Sequence, residues 1–170
     1  MRDNFDLEQE LKGLLSGPFS AMPMANDIQI AFGRNARRRF GSIKMSRDKS
    51  ASLITINGIF KNEFIPIEII QATIAHELAH YAHGFCSPLP QKYKHPHQGG
   101  VIKKEMEARG LTHLYIFEKK WTKANWAKVV AEQLPAKPRR RHRPLKRRLV
   151  SRRHLELKRL LRSTIQQWLT

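Results

Sequence analysis

The stretch IEIIQATIAHELAHYAHG, residues 67–84, decides how this chain is read. Pro66 precedes it and suits the first turn of a helix, where a missing N–H costs little. Gly84 closes it, and glycine is favoured just past a helix C-terminus. Between them Ile70, Ile74, Leu78 and Tyr81 recur at helical spacing and predict an apolar stripe. His76 and His80 stand four residues apart on a neighbouring face, so their imidazoles converge on one point. Zinc suits that point, because it accepts His nitrogen at about 2.0–2.1 Å and is mostly four-coordinate. Glu77, beside the first histidine, is spaced to act as general base toward a metal-activated water. With 8 His and 10 Glu among 170 residues, random order yields roughly 0.02 such sets per chain. Chance is a poor account of the motif.

Working outward, residues 4–15 predict a short amphipathic helix with Phe5, Leu7, Leu11, Leu14 and Leu15 together, Asn4 as cap and Gly17-Pro18 as its end. Asp27–Phe32 alternates as a strand does, residues 40–45 form a second candidate, and the β-branched run 53–56 a third, after a polar turn at residues 46–50. These predict a small antiparallel sheet packed with helices, an α+β fold. Downstream, residues 86–96 contain three prolines and read as a loop. Residues 97–109 predict a helix closed by Gly110, and residues 121–133 a last one before Pro135 and Pro138.

A catalytic zinc needs three protein ligands and an open position. His97 follows the proline-rich loop and opens the next predicted helix, so it is the expected third ligand; His95 competes from the same loop. Glu105 and Glu107 are weaker alternatives, and His83 is expected to support the site rather than ligate. Candidates for stabilising an oxyanion are His83, Tyr93, His95, Arg109 and His113.

Charge is distributed unevenly. The net +18 is concentrated in residues 135–170, which hold 13 Lys and Arg against one acid, Glu156. Arg139, Arg140, Arg141, Arg143, Lys146, Arg147 and Arg148 suit phosphate binding, since each neutralised phosphate releases condensed counterion. Only Trp168 is available for stacking there, so backbone contact with little sequence specificity is expected. Residues 144–170 also predict a basic helix with Leu149, Leu157, Leu160, Leu161 and Trp168 on one side. The bland alternatives are a solvated extension, or a tail that docks on the domain or on a second copy.

Cys86 is the only cysteine, which excludes an intrachain disulfide or a Cys₄ zinc ribbon and fits a reducing compartment. The first ten residues carry Asp3, Asp6, Glu8 and Glu10 and no apolar signal-peptide core. No stretch approaches the roughly 20 apolar residues of a membrane span. A cytoplasmic or nucleoid-associated protein is expected, nuclear in a eukaryote, with no membrane partner.

The set HELAH (76–80) followed by HQGGVIKKEMEARG (97–110) resembles the SprT-like metalloprotease pattern. That pattern is an H-E-L-x-H helix, then His-Gly-x-x-Phe and a helix with a downstream Met. RRRFG (37–41) and LITIN (53–57) agree with its upstream segment, so the resemblance covers about residues 27–110. It departs at Gln98, where the family has Gly, and at Val101, where Phe is usual, and the zinc ribbon of many relatives is absent. The resemblance implies a zincin-like active-site helix and a zinc-dependent protease. Eukaryotic relatives known as Spartan cleave proteins crosslinked to DNA in a DNA-dependent way.

The sequence therefore predicts a metalloprotease domain over residues 1–134 and a basic nucleic-acid-binding tail over residues 135–170. His76, His80 and His97 would hold Zn²⁺, Glu77 would be the general base, and the partners would be protein substrates and nucleic acid. The rival expectation is a non-enzymatic nucleic-acid-binding protein with a structural zinc site.

Overall fold

A computed structural model of the chain describes residues 1–135. The basic tail, including Arg139, Arg140, Arg141, Arg143, Lys146, Arg147, Arg148 and the helix expected over residues 144–170, lies outside the described residues.

Helix α1 spans Asn4–Ser16 and buries Leu7, Leu11 and Leu14, while Phe5, expected among them, is exposed. Its cap is Asp3 rather than Asn4: Asp3 accepts from the Asp6 N–H and Asp6 accepts from the Asp3 N–H, a reciprocal box that satisfies two orphan donors. Asn4 instead accepts from the Phe32 N–H at 3.0 Å, which pins the helix to the end of the first strand.

Strands β1 (Asp27–Phe32), β2 (Gly41–Met45) and β3 (Ala51–Ile56) form one sheet in the order β1-β3-β2. The sheet is mixed, which corrects the antiparallel expectation. β3 runs parallel to β1, with Asp27 opposite Ala51, and antiparallel to β2, with Gly41 opposite Ile56. The cause is the length of two connections. Residues 46–50 make a tight turn around Asp48, which accepts from the Ser46 hydroxyl and the Ser50 N–H, so β2 and β3 pair as a hairpin. Residues 33–40 are long enough to step from β1 past β3 to its far side, about two strand spacings of 4.8 Å. Ser52, Ile54 and Ile56 point inward with essentially no exposure, whereas Leu53 on the other face is 41% exposed.

Helix α2 (Ile67–Ala82) lies against the inner face of the sheet and packs on helices at both sides. It is buried nearly all round, with Ile69, Ile70, Ala72, Ile74, Ala75, Leu78, Ala79 and Tyr81 at or near zero exposure. The Tyr81 hydroxyl accepts from the Ala25 N–H at 2.9 Å and donates to the Asn26 side chain at 2.9 Å, which fixes the helix end to the start of β1. Helix α3 spans Val101–Ala108, four residues shorter at its start than expected, because Gly99 and Gly100 take positive φ of 60° and 72°. Helix α4 spans Thr112–Gln133 and begins well before the expected Trp121. Only Leu114 and Val129 of α4 are fully buried, so its first half carries little periodic signal.

The crossover strap of residues 33–40 is held by a polar and an aromatic anchor. Asn57 is 4% exposed and makes four hydrogen bonds: it accepts from the Ala36 and Ile59 N–H groups and donates to the Ala36 and Arg39 carbonyls. Phe40 meets Phe60 and Trp126 edge-on at 5.3 and 4.6 Å, and the Trp126 indole donates to the Arg37 carbonyl at 2.9 Å. Asn57→Ala leaves buried backbone groups unpaired and is expected to cost about 3 kcal/mol in urea unfolding; a loss below about 1 kcal/mol would contradict this anchoring role.

Candidate metal centre

Because α2 is rigidly packed, His76 and His80 project one turn apart with ring centroids 4.8 Å from each other. His97 arrives from the loop before α3, 5.4 Å from the His76 ring and 4.7 Å from the His80 ring. One nitrogen from each ring lies within 4.8 Å of the others, close enough for the three to share a metal ion.

The loop returns because of a close approach at Gly84. Its φ is +80°, and a Cβ there would stand 2.4 Å from the Pro90 carbonyl oxygen and 2.6 Å from Gln91 Cα. The chain therefore folds directly over the end of α2, and the Lys92 N–H donates to the His83 carbonyl at 3.0 Å. The glycine pair at 99 and 100 then turns the backbone into α3. These turns leave His97 outside the helix, facing α2, and leave His95 exposed and outside the cluster.

The other expected ligands are engaged elsewhere. Glu105 Oε2 meets His83 Nε2 at 3.0 Å, and its Oε1 accepts from Arg109 Nε and Nη2 at 2.9 and 2.7 Å. Burial pushes Glu105 up, but the hydrogen bonds from Arg109 and His83 outweigh it and hold the carboxyl below its ordinary range. Arg109 also donates to the Pro18 carbonyl at 2.9 Å and covers the Phe19 ring at 4.2 Å. This network clamps α3 to the end of α2. Glu107 pairs with Lys103 at the surface, at 3.4 Å.

Burial sets the charge of the ligands. It pushes His76 down to about 3, helped by repulsion from His80, His97 and Lys119. His80 falls to about 4 by burial and repulsion from His97 and His83. Both are therefore neutral at ordinary pH with lone pairs available, as a metal ligand must be. Among the described residues, the buried His80 Nδ1 has no hydrogen-bond partner.

Glu77, 6% exposed, packs against the first residue of β2. A Cβ on Gly41 would stand 2.6 Å from Thr73 Cγ2 and 3.0 Å from Glu77 Oε1, so only glycine lets the carboxyl and the strand approach this closely. Burial raises Glu77 to about 7, with Arg39 and the Ile43 backbone pulling the other way. His76 and Glu77 open onto a cleft of about 590 Å³ between α2, the strap and α4, lined also by Arg37, Arg38, Arg39, Lys119 and Lys123.

None of the side chains expected to stabilise an oxyanion lines this cleft. His83 and Arg109 belong to the Glu105 clamp, Tyr93 stands edge-on to His83 at 5.0 Å, and His95 and His113 are exposed elsewhere. Glu118, Lys119 and Thr122 do line it, and sequence reasoning had not singled them out. Their signal was the i, i+4 pairing of Glu118 with Thr122 and of Lys119 with Lys123, which is visible only once α4 is extended to Thr112.

No described helix is long and apolar enough to cross a membrane. No protein-family model, curated protein or solved structure matches the chain.

The geometry separates His97 from His95. His97→Ala is expected to weaken zinc affinity by at least about 100-fold, and His95→Ala to change it by less than about 3-fold, as read by competition with a chromogenic chelator. Equal losses would refute the assignment.

Proposed function

We propose that this chain is a zinc metallopeptidase that acts on proteins bound or crosslinked to nucleic acid. The observation that carries it is the convergence of His76, His80 and His97 beside Glu77, with the His76–Glu77 edge open to a cleft. Three imidazoles are the donor set of a catalytic zinc, which leaves one position for water or substrate. When bound, zinc supplies Lewis acidity that polarises a scissile carbonyl and makes a water more acidic.

The remaining work falls to the chain itself. Glu77 takes the proton of the attacking water and passes it to the departing amine. Its burial, which lifts its basicity toward about 7, matches a base that must both accept and return a proton near neutral pH. Gly41 holds the carboxyl in place by admitting it against β2. Arg39 favours its ionised form.

A structural zinc site is the less favoured reading. Structural sites are closed by four protein ligands, whereas among the described residues this cluster has three, and His97 is exposed. The resemblance of residues 76–80 and 97–110 to the SprT-like pattern supports peptidase chemistry. The nucleic-acid half of the proposal is supported by the charge of residues 135–170, a net of +12, in arginine-rich runs suited to phosphate.

Glu77→Gln is expected to retain zinc while reducing cleavage of an unfolded protein substrate by at least about 100-fold. Zinc-loaded wild type that cuts no protein, with or without DNA, would refute the peptidase reading. Replacing Arg139, Arg140 and Arg141 together with Ala should lower the slope of log affinity against log salt by about 2.7 on duplex DNA. An unchanged slope would remove these arginines from the interface.

A further inference from the structure

The cleft beside Glu77 is walled by cations. Arg37, Arg38 and Arg39 line one side, and Lys119 and Lys123 the other. Among the described residues none of the five forms an ion pair. We propose that this cationic wall selects polypeptide segments with acidic side chains next to the bond to be cut. The proposal rests on the peptidase reading and names the substrate class of that same site.

The backbone that carries the three arginines is held in place. The Arg37 carbonyl is held by the Trp126 indole, the Arg39 carbonyl by Asn57, and the preceding residue, Ala36, by two bonds with Asn57. Holding the backbone lowers the entropy lost when the guanidinium groups engage a partner. Lys119 and Lys123 lie one turn apart on α4, so they face the cleft together. Among the described residues only two acids line the cleft, Glu77 and Glu118. Glu77 is committed to the reaction, and burial pushes Glu118 toward its neutral form, with Lys119 opposing.

Placement decides between a peptide and a nucleic-acid strand. The cations share one cleft with His76 and Glu77, so a strand lying on them would block the groups that must reach a scissile bond. Among the described residues the aromatic side chains lining the cleft, Phe40 and Trp126, are packed edge-on against each other at 4.6 Å rather than stacked open to it. At about 590 Å³ it has the size of an ordinary ligand pocket, which suits a short peptide segment.

The test uses full-length, zinc-supplemented protein and peptides sharing one scissile sequence, flanked by Glu, Ala or Lys. The Glu peptide is expected to show kcat/KM at least about 10-fold above the Lys peptide at low salt. That ratio should shrink between 0.1 M and 1 M salt, where the Debye length falls from about 10 Å to about 3 Å. Arg38→Glu combined with Lys123→Glu should abolish the ratio. Lys12→Glu with Lys128→Glu makes the same change in net charge on exposed positions outside the cleft and should preserve it. Because each ratio is read within one variant, partial unfolding does not imitate the effect. Equal cleavage across the set, or preference for Lys, overturns the proposal. So does an oligonucleotide that blocks cleavage of the Ala peptide in the control variant but not in the cleft variant, which would assign the wall to nucleic acid.

A binding measurement separates this proposal from the peptidase reading. On Glu77→Gln protein, fluorescence anisotropy should show the Glu peptide binding at least about 5-fold more weakly once Arg38→Glu and Lys123→Glu are added. If that loss appears while wild type cuts no peptide, the peptidase reading falls and the acidic-peptide site stands. If the loss is absent, the acidic-peptide site falls, whatever the catalysis.

Discussion

The burial of α2 is the constraint on which the rest of the molecule depends. A helix enclosed on nearly every side has no freedom to rotate or slide, so the direction of every side chain on it is fixed by the core. His76 and His80 inherit their convergence from Ile69, Ile70, Ile74, Leu78 and Tyr81, which pack at or near zero exposure. The same burial sets the chemistry. It withholds protons from the two imidazoles and pushes one toward the Glu77 carboxyl. Burial disfavours the charged form of both kinds of group, and the two effects have opposite signs because one group is charged when protonated and the other when not. One packing decision thus yields two neutral imidazoles and a more basic carboxylate.

Two glycines let other parts of the chain reach that helix. Gly41 admits Glu77 against β2, and Gly84 lets the following loop cross the helix end and return His97 to it. Both positions would clash with any side chain, one chiefly through the Thr73 methyl and one through backbone. The site is therefore assembled by close approaches at its two ends, with the Glu105 clamp to His83 and Arg109 holding α3 beside the returning loop. Asn57 performs the corresponding task for the strap. It converts residues 33–40 from a long irregular connection into a fixed wall.

What was legible in the sequence follows from how local each signal is. The bounds of β1 match expectation, and so does the start of α2, because alternation and helical spacing are read from neighbours. The three-histidine set was legible too, since i, i+4 spacing on a helix is a local fact and few loop residues could supply the third nitrogen. The mixed sheet was not, because pairing of β1 with β3 depends on where a long crossover ends rather than on either strand's pattern. The first half of α4 escaped notice for a different reason. Ile116 and Phe117 are exposed there, so its apolar residues do not mark a buried face. The cationic wall was hidden by the same gap: Arg37, Arg38 and Arg39 stood out, but Lys119, whose i, i+4 spacing aligns Lys123 with it, lies on the unrecognised part of α4.

The charge logic of the site points outward from this arrangement. A dication held by His76, His80 and His97 would keep its full charge, because among the described residues the cluster includes no carboxylate to offset it. The five cations lining the cleft add to that field, and a cleft with low-dielectric walls focuses it. Cations so placed oppose the binding of a metal, a cost that the ligands must overcome. Lys119 shows the compensation, since its repulsion helps keep His76 unprotonated and free to ligate. The wall therefore works against metal affinity by charge and for it by suppressing the competing proton. An anionic segment entering the cleft would relieve the first effect. Substrate and metal would then favour each other's binding, a coupling that must be equal in both directions.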